Sequence, residues 1–256
     1  MNAPPGGRLD ACPGISERTS RDSCVLCDVL DGCDQTPARS FLTRSELPTE
    51  TLASGASITA IADVAPLAPG HVLLVTTRHV LAMSKLTSAG LTELRYMRER
   101  FARWLESLYS LPVISFEHGL CTSEGVASCG IDHAHLHLLP TNIPVEDKFR
   151  ADFDVMTLRW LSDLEPATRQ VDEYLFLQGS GGIMLLARPQ HPASQYFRRV
   201  ISGLGGRQLW NWNDEVLLGQ AAQRREWILD LHQAWGGRDL MPGLFRRHAD
   251  EMPYAR

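Results

Sequence analysis

Between residues 133 and 140 the chain reads His-Ala-His-Leu-His-Leu-Leu-Pro, three imidazoles at strict period two inside an apolar run. In a β-strand, residues i, i+2 and i+4 point to one side and the residues between them to the other. The spacing therefore predicts a strand with His133, His135 and His137 on one face and with Ala134, Leu136 and Leu138 turned to a core. Three imidazoles side by side on a buried strand need a metal, a ligand or an anion to satisfy them. A functional face is thus expected. Two plainer readings compete: satisfied core histidines, and a metal cluster in which His-x-His is completed by a nearby Glu. Against the second, the next acid is Glu146, beyond the breaks at Pro140 and Pro144.

The surrounding chain has a regular organisation. Ser57 to Ile61 and His71 to Thr76 read as two strands separated by a turn that holds Pro66 and Pro69. Leu91, Leu94, Met97, Phe101, Leu105 and Leu108 fall at three- and four-residue spacing, which predicts an amphipathic helix from Thr87 to Tyr109 with Thr87 or Ser88 as its cap. Val113 to Phe116 reads as a third strand. The segment from Glu117 to Asp132, which contains Gly119, Gly125 and Gly130, reads as the loop before the histidine strand.

This order of elements, the triad, and the run from Asp63 to Val75 (Asp-Val-Ala-Pro-Leu-Ala-Pro-Gly-His-Val-Leu-Leu-Val) together resemble the histidine triad (HIT) superfamily of nucleotide hydrolases and nucleotidyl transferases. The resemblance implies an α+β fold, an antiparallel sheet with a long packed helix, over residues 23–141. Residues 1–22 read as a disordered leader. Residues 142–256 form a C-terminal extension packed on the HIT domain. In it, Phe149 to Leu164 reads as a helix, Glu173 to Leu177 with Gly182 to Ala187 as a hairpin, and Ala193 to Leu204 as a helix. Two readings of the extension stay open: an α/β degenerate second HIT-like half, as in galactose-1-phosphate uridylyltransferase-like or dinucleotide phosphorylase-like members, or a helical cap.

The chemistry implied by the resemblance can be carried over residue by residue. The middle histidine, His135, is the nucleophile that attacks the α-phosphorus and carries the nucleotidyl group, provided a hydrogen bond to its other nitrogen fixes the tautomer. His137 and the backbone around Ser128 and Gly130 donate to the phosphoryl oxygens. Asp63 takes the ribose hydroxyls. Gln195 and Arg198, at the start of the last predicted helix, are candidate anion contacts. Glu117-His118-Gly119 stands where many family hydrolases have Asn-x-Gly; Glu117 reads as a loop organiser and His118 as an exposed residue. Trp210-Asn211-Trp212 reads as packing against the sheet or as a stacking surface for a base, the former preferred.

Cys24-x-x-Cys27 alone is half a metal site. In zinc-containing members of the superfamily the other half is the histidine after the second hairpin strand and the first of the triad. The implied ligand set for a structural Zn²⁺ is therefore Cys24, Cys27, His79 and His133.

In the uridylyltransferase branch of the family the third triad position is glutamine and in its hydrolases generally histidine, so by the resemblance His137 favours water as acceptor, hence a hydrolase of nucleoside monophosphate conjugates. A transferase or phosphorylase is the alternative reading, and a non-catalytic nucleotide sensor is the alternative of another class. The expected partner is a nucleotide-conjugate small molecule, with the possibility of a homodimer left open. A net charge of -5 with no basic run argues against nucleic acid. No apolar run of about 18 residues is present, which argues against a membrane span. The six cysteines are too sparse for a disulfide framework. A cytoplasmic protein is expected.

Overall fold

The computed structural model describes residues 24–121, 131–191, 194–214 and 220–236. The leader, and the expected phosphate contacts Ser128 and Gly130, lie outside these residues. The centre of the fold is one antiparallel sheet of eight strands: β1 (Thr51–Ser54), β2 (Ile58–Ala62), β3 (Val72–Thr76), β4 (Val113–Leu120), β5 (His135–Pro140), β6 (Val155–Leu158), β7 (Glu173–Gln178) and β8 (Met184–Ala187). Their order across the sheet is β1-β2-β3-β5-β4-β7-β8-β6. The expected α+β architecture is therefore present, and strands from the extension continue the same sheet. β7 pairs with the edge of β4 that β5 leaves open, with Glu117 opposite Phe176.

Six α-helices complete the described fold: α1 (Val25–Leu30), α2 (Ser88–Tyr109), α3 (Val145–Asp152), α4 (Leu164–Thr168), α5 (Tyr196–Leu204) and α6 (Ala221–Trp235). The long α2 follows from its periodicity. Leu91, Leu94, Met97, Phe101 and Leu105 are buried, and they pack on Ala60, Leu74, Leu136 and Leu138 of the sheet. Leu108, expected on that stripe, is 41% exposed, because the helix has by then passed the edge of the buried face. The Thr87 hydroxyl accepts from Gly90 N at 3.2 Å and caps the first turn. Buried Glu93 accepts from the backbone N–H groups of Ser57 and Ile58, joining helix to sheet by charge-assisted bonds. The indole N–H of Trp235 donates to Leu52 O at 2.6 Å, and its ring stacks on Phe101, so α6 is tied over α2.

The opposite face of the sheet carries two separate apolar clusters. One gathers Leu26 and Val29 of α1 with Ile61, Leu73 and Val75. The other gathers Phe116, Leu139, Leu175 and Leu177 under Phe149 and Phe197 of α3 and α5. The gap between them is the pocket. Odd-numbered residues of β5 face it, while Ala134, Leu136 and Leu138 lie in the α2 core as the alternation requires.

Several expectations change. The helix expected over Phe149 to Leu164 is instead α3, then the edge strand β6, then α4. β4 runs on to Leu120, so Glu117, His118 and Gly119 belong to a strand and not to the following loop. The helix expected from Ala193 begins at Tyr196, because Gln195 sits in the left-handed region at φ 48°. β1, α1 and α6 had no counterpart in the sequence reading. At Gly70, φ is +81° and an added Cβ would lie 2.3 Å from the Tyr109 ring, so the turn into β3 requires glycine.

Candidate active site and metal centre

Each histidine of the triad meets a different partner. His133 Nε2–H donates to the Thr76 carbonyl at 2.8 Å, which leaves Nδ1 bare. That lone pair faces Cys24 Sγ at 3.4 Å and Cys27 Sγ at 3.5 Å, and Cys27 Sγ lies 3.4 Å from His79 Nδ1. All four ligand atoms lie within 4.8 Å of one another. A tetrahedral Zn²⁺ with bonds of about 2.3 Å to sulfur and about 2.0 Å to nitrogen places S and N roughly 3.5 Å apart. The four residues therefore fit zinc in spacing, donor type and tautomer. Burial pushes the Cys24 thiol up.

His135 is held in the opposite sense. Its Nδ1–H donates to the His133 carbonyl at 2.5 Å, so Nε2 keeps its lone pair. Burial lowers its pKa and the contact with the His133 carbonyl partly opposes this, which favours the neutral, nucleophilic ring at pH 7. His135 and His137 lie edge to face with ring centroids 4.8 Å apart.

His137 is oriented by His71, a residue that the sequence reading placed only as the start of a strand. His71 Nε2 and His137 Nδ1 are 2.9 Å apart. The Leu67 backbone N–H approaches His71 Nδ1 at 3.1 Å, and a backbone N–H can only donate. Asp63 Oδ2 lies equally near, 3.1 Å from the same Nδ1, but only the Leu67 N–H makes a hydrogen bond there, so Nδ1 of His71 accepts, Nε2–H donates to His137 Nδ1, and His137 presents Nε2–H. Burial keeps both rings well below the ordinary imidazole range, for His71 with Arg198 adding to the effect. Neighbouring histidines thus show opposite tautomers, a lone pair on His135 and an N–H on His137, each set by a backbone group. His137 also stacks on Phe116 at 4.5 Å.

Asp63 and Arg198 come together, but not as expected. Asp63 is buried at 4% exposure. Its Oδ1 accepts from Ala65 N at 2.9 Å, while Oδ2 lies 3.3 Å from Arg198 NH1, 3.1 Å from His71 Nδ1 and 4.0 Å from His137 Nδ1. Oδ2 is thus already crowded. With His71 neutral, Arg198 and Ala65 N hold the carboxylate. Arg198 also donates to Ala65 O at 2.7 Å and to Trp210 O at 2.9 Å, so α5 is clamped on the loop after β2. Gln195 lines the pocket, yet its Oε1 accepts from Trp212 N at 3.0 Å and its Nε2 donates to Asn211 Oδ1 at 3.2 Å. In these positions Arg198 and Gln195 hold the extension against the site; contact with a substrate anion would require them to exchange partners.

The pocket lies between α1, the β2–β3 turn, β4, β5 and the start of α5, with Trp212 at its rim. Glu117 and His118 divide between the two faces of β4. Glu117 points away from the pocket, accepting from Met83 N at 2.7 Å and from the Tyr174 hydroxyl at 2.6 Å, and burial raises its pKa to about 7. His118, expected to be exposed, lines the pocket and pairs with Glu173 at 2.7 Å. Both placements follow from the extra length of β4.

Residues 44–143 match the family profile described as HIT domain. No curated protein matches the chain. Among solved structures, a Hit-like protein involved in cell-cycle regulation from Bartonella henselae is 15% identical over 46% of this chain and 79% of its own, with a TM-score of 0.34. Yeast Ap4A phosphorylase Apa2 in complex with AMP is 17% identical over 56% of this chain and 60% of its own, at 0.36. A Zn-bound histidine triad family protein from Mycobacterium smegmatis is 17% identical over 59% and 91%, at 0.32. Likenesses of this degree have no bearing on activity or ligand.

Proposed function

For a chain that carries a HIT domain over residues 44–143, we propose a nucleotide hydrolase that cleaves a nucleoside monophosphate from a phosphate or phosphonate conjugate through a nucleotidyl-His135 intermediate. The observation that carries this reading is the pairing of opposite tautomers at the pocket: a bare Nε2 on His135 beside an Nε2–H on His137.

The chemistry then follows in two steps. His135 Nε2 gives its electron pair to the α-phosphorus while the bond to the leaving oxygen breaks, and that oxygen departs with the pair and takes a proton from solvent. Water next adds to phosphorus, the phosphorus–nitrogen bond breaks, His135 recovers its lone pair, and the water's proton passes to solvent. The positive charge on His135 in the adduct is stabilised through its Nδ1–H bond to the His133 carbonyl. His137 Nε2–H stabilises the negative charge that gathers on a phosphoryl oxygen. The low basicity of His71 and His137 keeps the second histidine a donor that does not compete for the proton. Asp63 lines the pocket, where the resemblance puts it on the ribose hydroxyls, and with Arg198 it also positions the turn whose Leu67 N–H orients His71.

A Zn²⁺ held by Cys24, Cys27, His79 and His133 would supply a structural cross-link between α1 and the strand that carries His135. The nucleobase would lie against the apolar wall of Val25, Val29 and Ile61. The test is chromatographic: wild type and His135→Ala against nucleoside monophosphate conjugates of the four bases, with and without inorganic phosphate. Monophosphate released by wild type alone, without phosphate, supports the hydrolase. Nucleoside diphosphate formed only with phosphate added would make the enzyme a phosphorylase instead. Equal product from both proteins would overturn the role of His135.

A further inference from the structure

The ladder between β4 and β5 ends at Phe116 opposite His137. Beyond that pair the two strands splay around Val80 and Leu81, whose carbonyls accept from Ala134 N and Leu120 N. His135 of β5 and His118 of β4 both line the pocket, because His118 follows Phe116 by two residues and so faces the same side.

His118 is also fixed in orientation. One of its nitrogens, Nε2, meets Glu173 Oε2 at 2.7 Å, with only 15% and 11% of the two side chains exposed. A carboxylate accepts, so His118 donates from Nε2. Nδ1 is then the ring atom left for a ligand. The carboxylate–imidazole pair has the form of a positioned catalytic histidine, and the two-step reaction above gives it no role.

We propose that His118, oriented by Glu173, is a further catalytic residue that grips a non-bridging oxygen of the phosphoryl group attacked by His135, on the side opposite His137. The proposal rests on the hydrolase reading for its reaction, though not for the phosphate contact itself. As a phosphate enters, its negative charge draws a proton from solvent to Nδ1, and the imidazolium then bridges Glu173 and the phosphoryl oxygen by two charge-assisted bonds. No covalent bond to His118 forms. The ionisable groups sharing the pocket are Glu173 from β7, His135 and His137 from β5, Asp63 from the turn after β2 and Arg198 from α5.

The test uses the full-length protein and three variants: His118→Ala, His118→Gln and Glu173→Gln. Two measurements are made, kcat/KM against pH on the conjugate that wild type cleaves, and calorimetric titration with AMP and CMP. His118→Ala is expected to lose roughly a hundredfold in kcat/KM near pH 6.5. His118→Gln should recover part of that loss through its amide donor, and Glu173→Gln should lose about tenfold. The deficit should shrink as pH rises, and a purely structural role would not produce that convergence. Monophosphate affinity should fall about tenfold in His118→Ala. Variants equal to wild type in both measurements, or a deficit independent of pH, would overturn the proposal. If wild type cleaves none of the conjugates, the hydrolase reading fails by itself. A His118-dependent loss of AMP or CMP affinity would then still support the phosphate contact, and unchanged affinity or no binding would refute it.

Discussion

The strand that carries the triad connects two clusters that look alike in composition and differ in chemistry. Cys24, Cys27, His79 and His133 gather at one end, and Asp63, His71 and His137 at the other; in both groups the ligand atoms lie within 4.8 Å of one another. In the first, sulfur and nitrogen stand 3.4 to 3.5 Å apart and a carbonyl holds His133 with its lone pair inward, as a cation requires. In the second, His71 Nε2 and His137 Nδ1 are 2.9 Å apart and share a hydrogen, while Arg198 brings a positive charge to the Asp63 carboxylate. A cation has neither the space nor the field to enter there. Clusters of His and Asp or Cys are therefore distinguished less by their residues than by the backbone groups that set each ring's tautomer.

Four substitutions would break or sharpen this contrast. The largest effect is expected at the residue between the clusters: His135→Ala should lower turnover by about a thousandfold or more while leaving metal content unchanged, measured by product formation and by atomic emission. His71→Asn removes the donor that orients His137. It should lower kcat about a hundredfold and leave zinc in place, so metal loss in this variant would join clusters that the account separates.

At the other end, Cys24→Ser should drop zinc from about one ion per chain to near none. Its melting temperature should fall by several degrees, about 5 °C for a loss near 1–2 kcal/mol in a chain of this size. A variant that keeps its zinc would remove Cys24 from the ligand set.

The smallest effect concerns Glu117, which lies outside both clusters on the other face of β4. Its pKa in the folded state is raised to about 7, from 4.5, so the folded state binds the extra proton between those values. Stability from this group is then fullest below about pH 4.5 and is lost as pH rises through about 7. Glu117→Gln should flatten that part of the wild-type curve, read as the difference between the two proteins in melting temperature from pH 5 to 8. Parallel curves would show that Glu117 does not titrate in this range.

The contrast between clusters also shows what a sequence can disclose. The histidine strand, the hairpin around Asp63 and α2 were legible because period two and period 3.6 survive burial. The ligand set of the first cluster was legible only through the family resemblance, because Cys-x-x-Cys alone is half a site and His79 and His133 came from the resemblance; the structure brings the four residues together. His71 was not singled out: it opens an apolar strand, and nothing local shows that it meets a ring 66 residues away. Arg198 and Gln195 were placed near the pocket from a helix start, but their partners, Asp63, the Asn211 side chain and the Trp212 N–H, depend on tertiary contact. β6 was read as helix because its four residues hold too short a pattern to outweigh the helical segments on either side. β4 was read too short because Glu117 and His118 look like loop residues, and that error hid the His118–Glu173 pair.

The central claim is that backbone partners assign the histidines of one strand different roles. It can be tested most directly by ¹⁵N-histidine NMR of the full-length protein with two-bond proton–nitrogen correlations, which read the tautomer of each ring. The account predicts Nδ1–H on His135, Nε2–H on His137, and Nε2–H on His133 with Nδ1 shifted by the metal. The same tautomer on His135 and His137, or a charged His137 at pH 7, would contradict it.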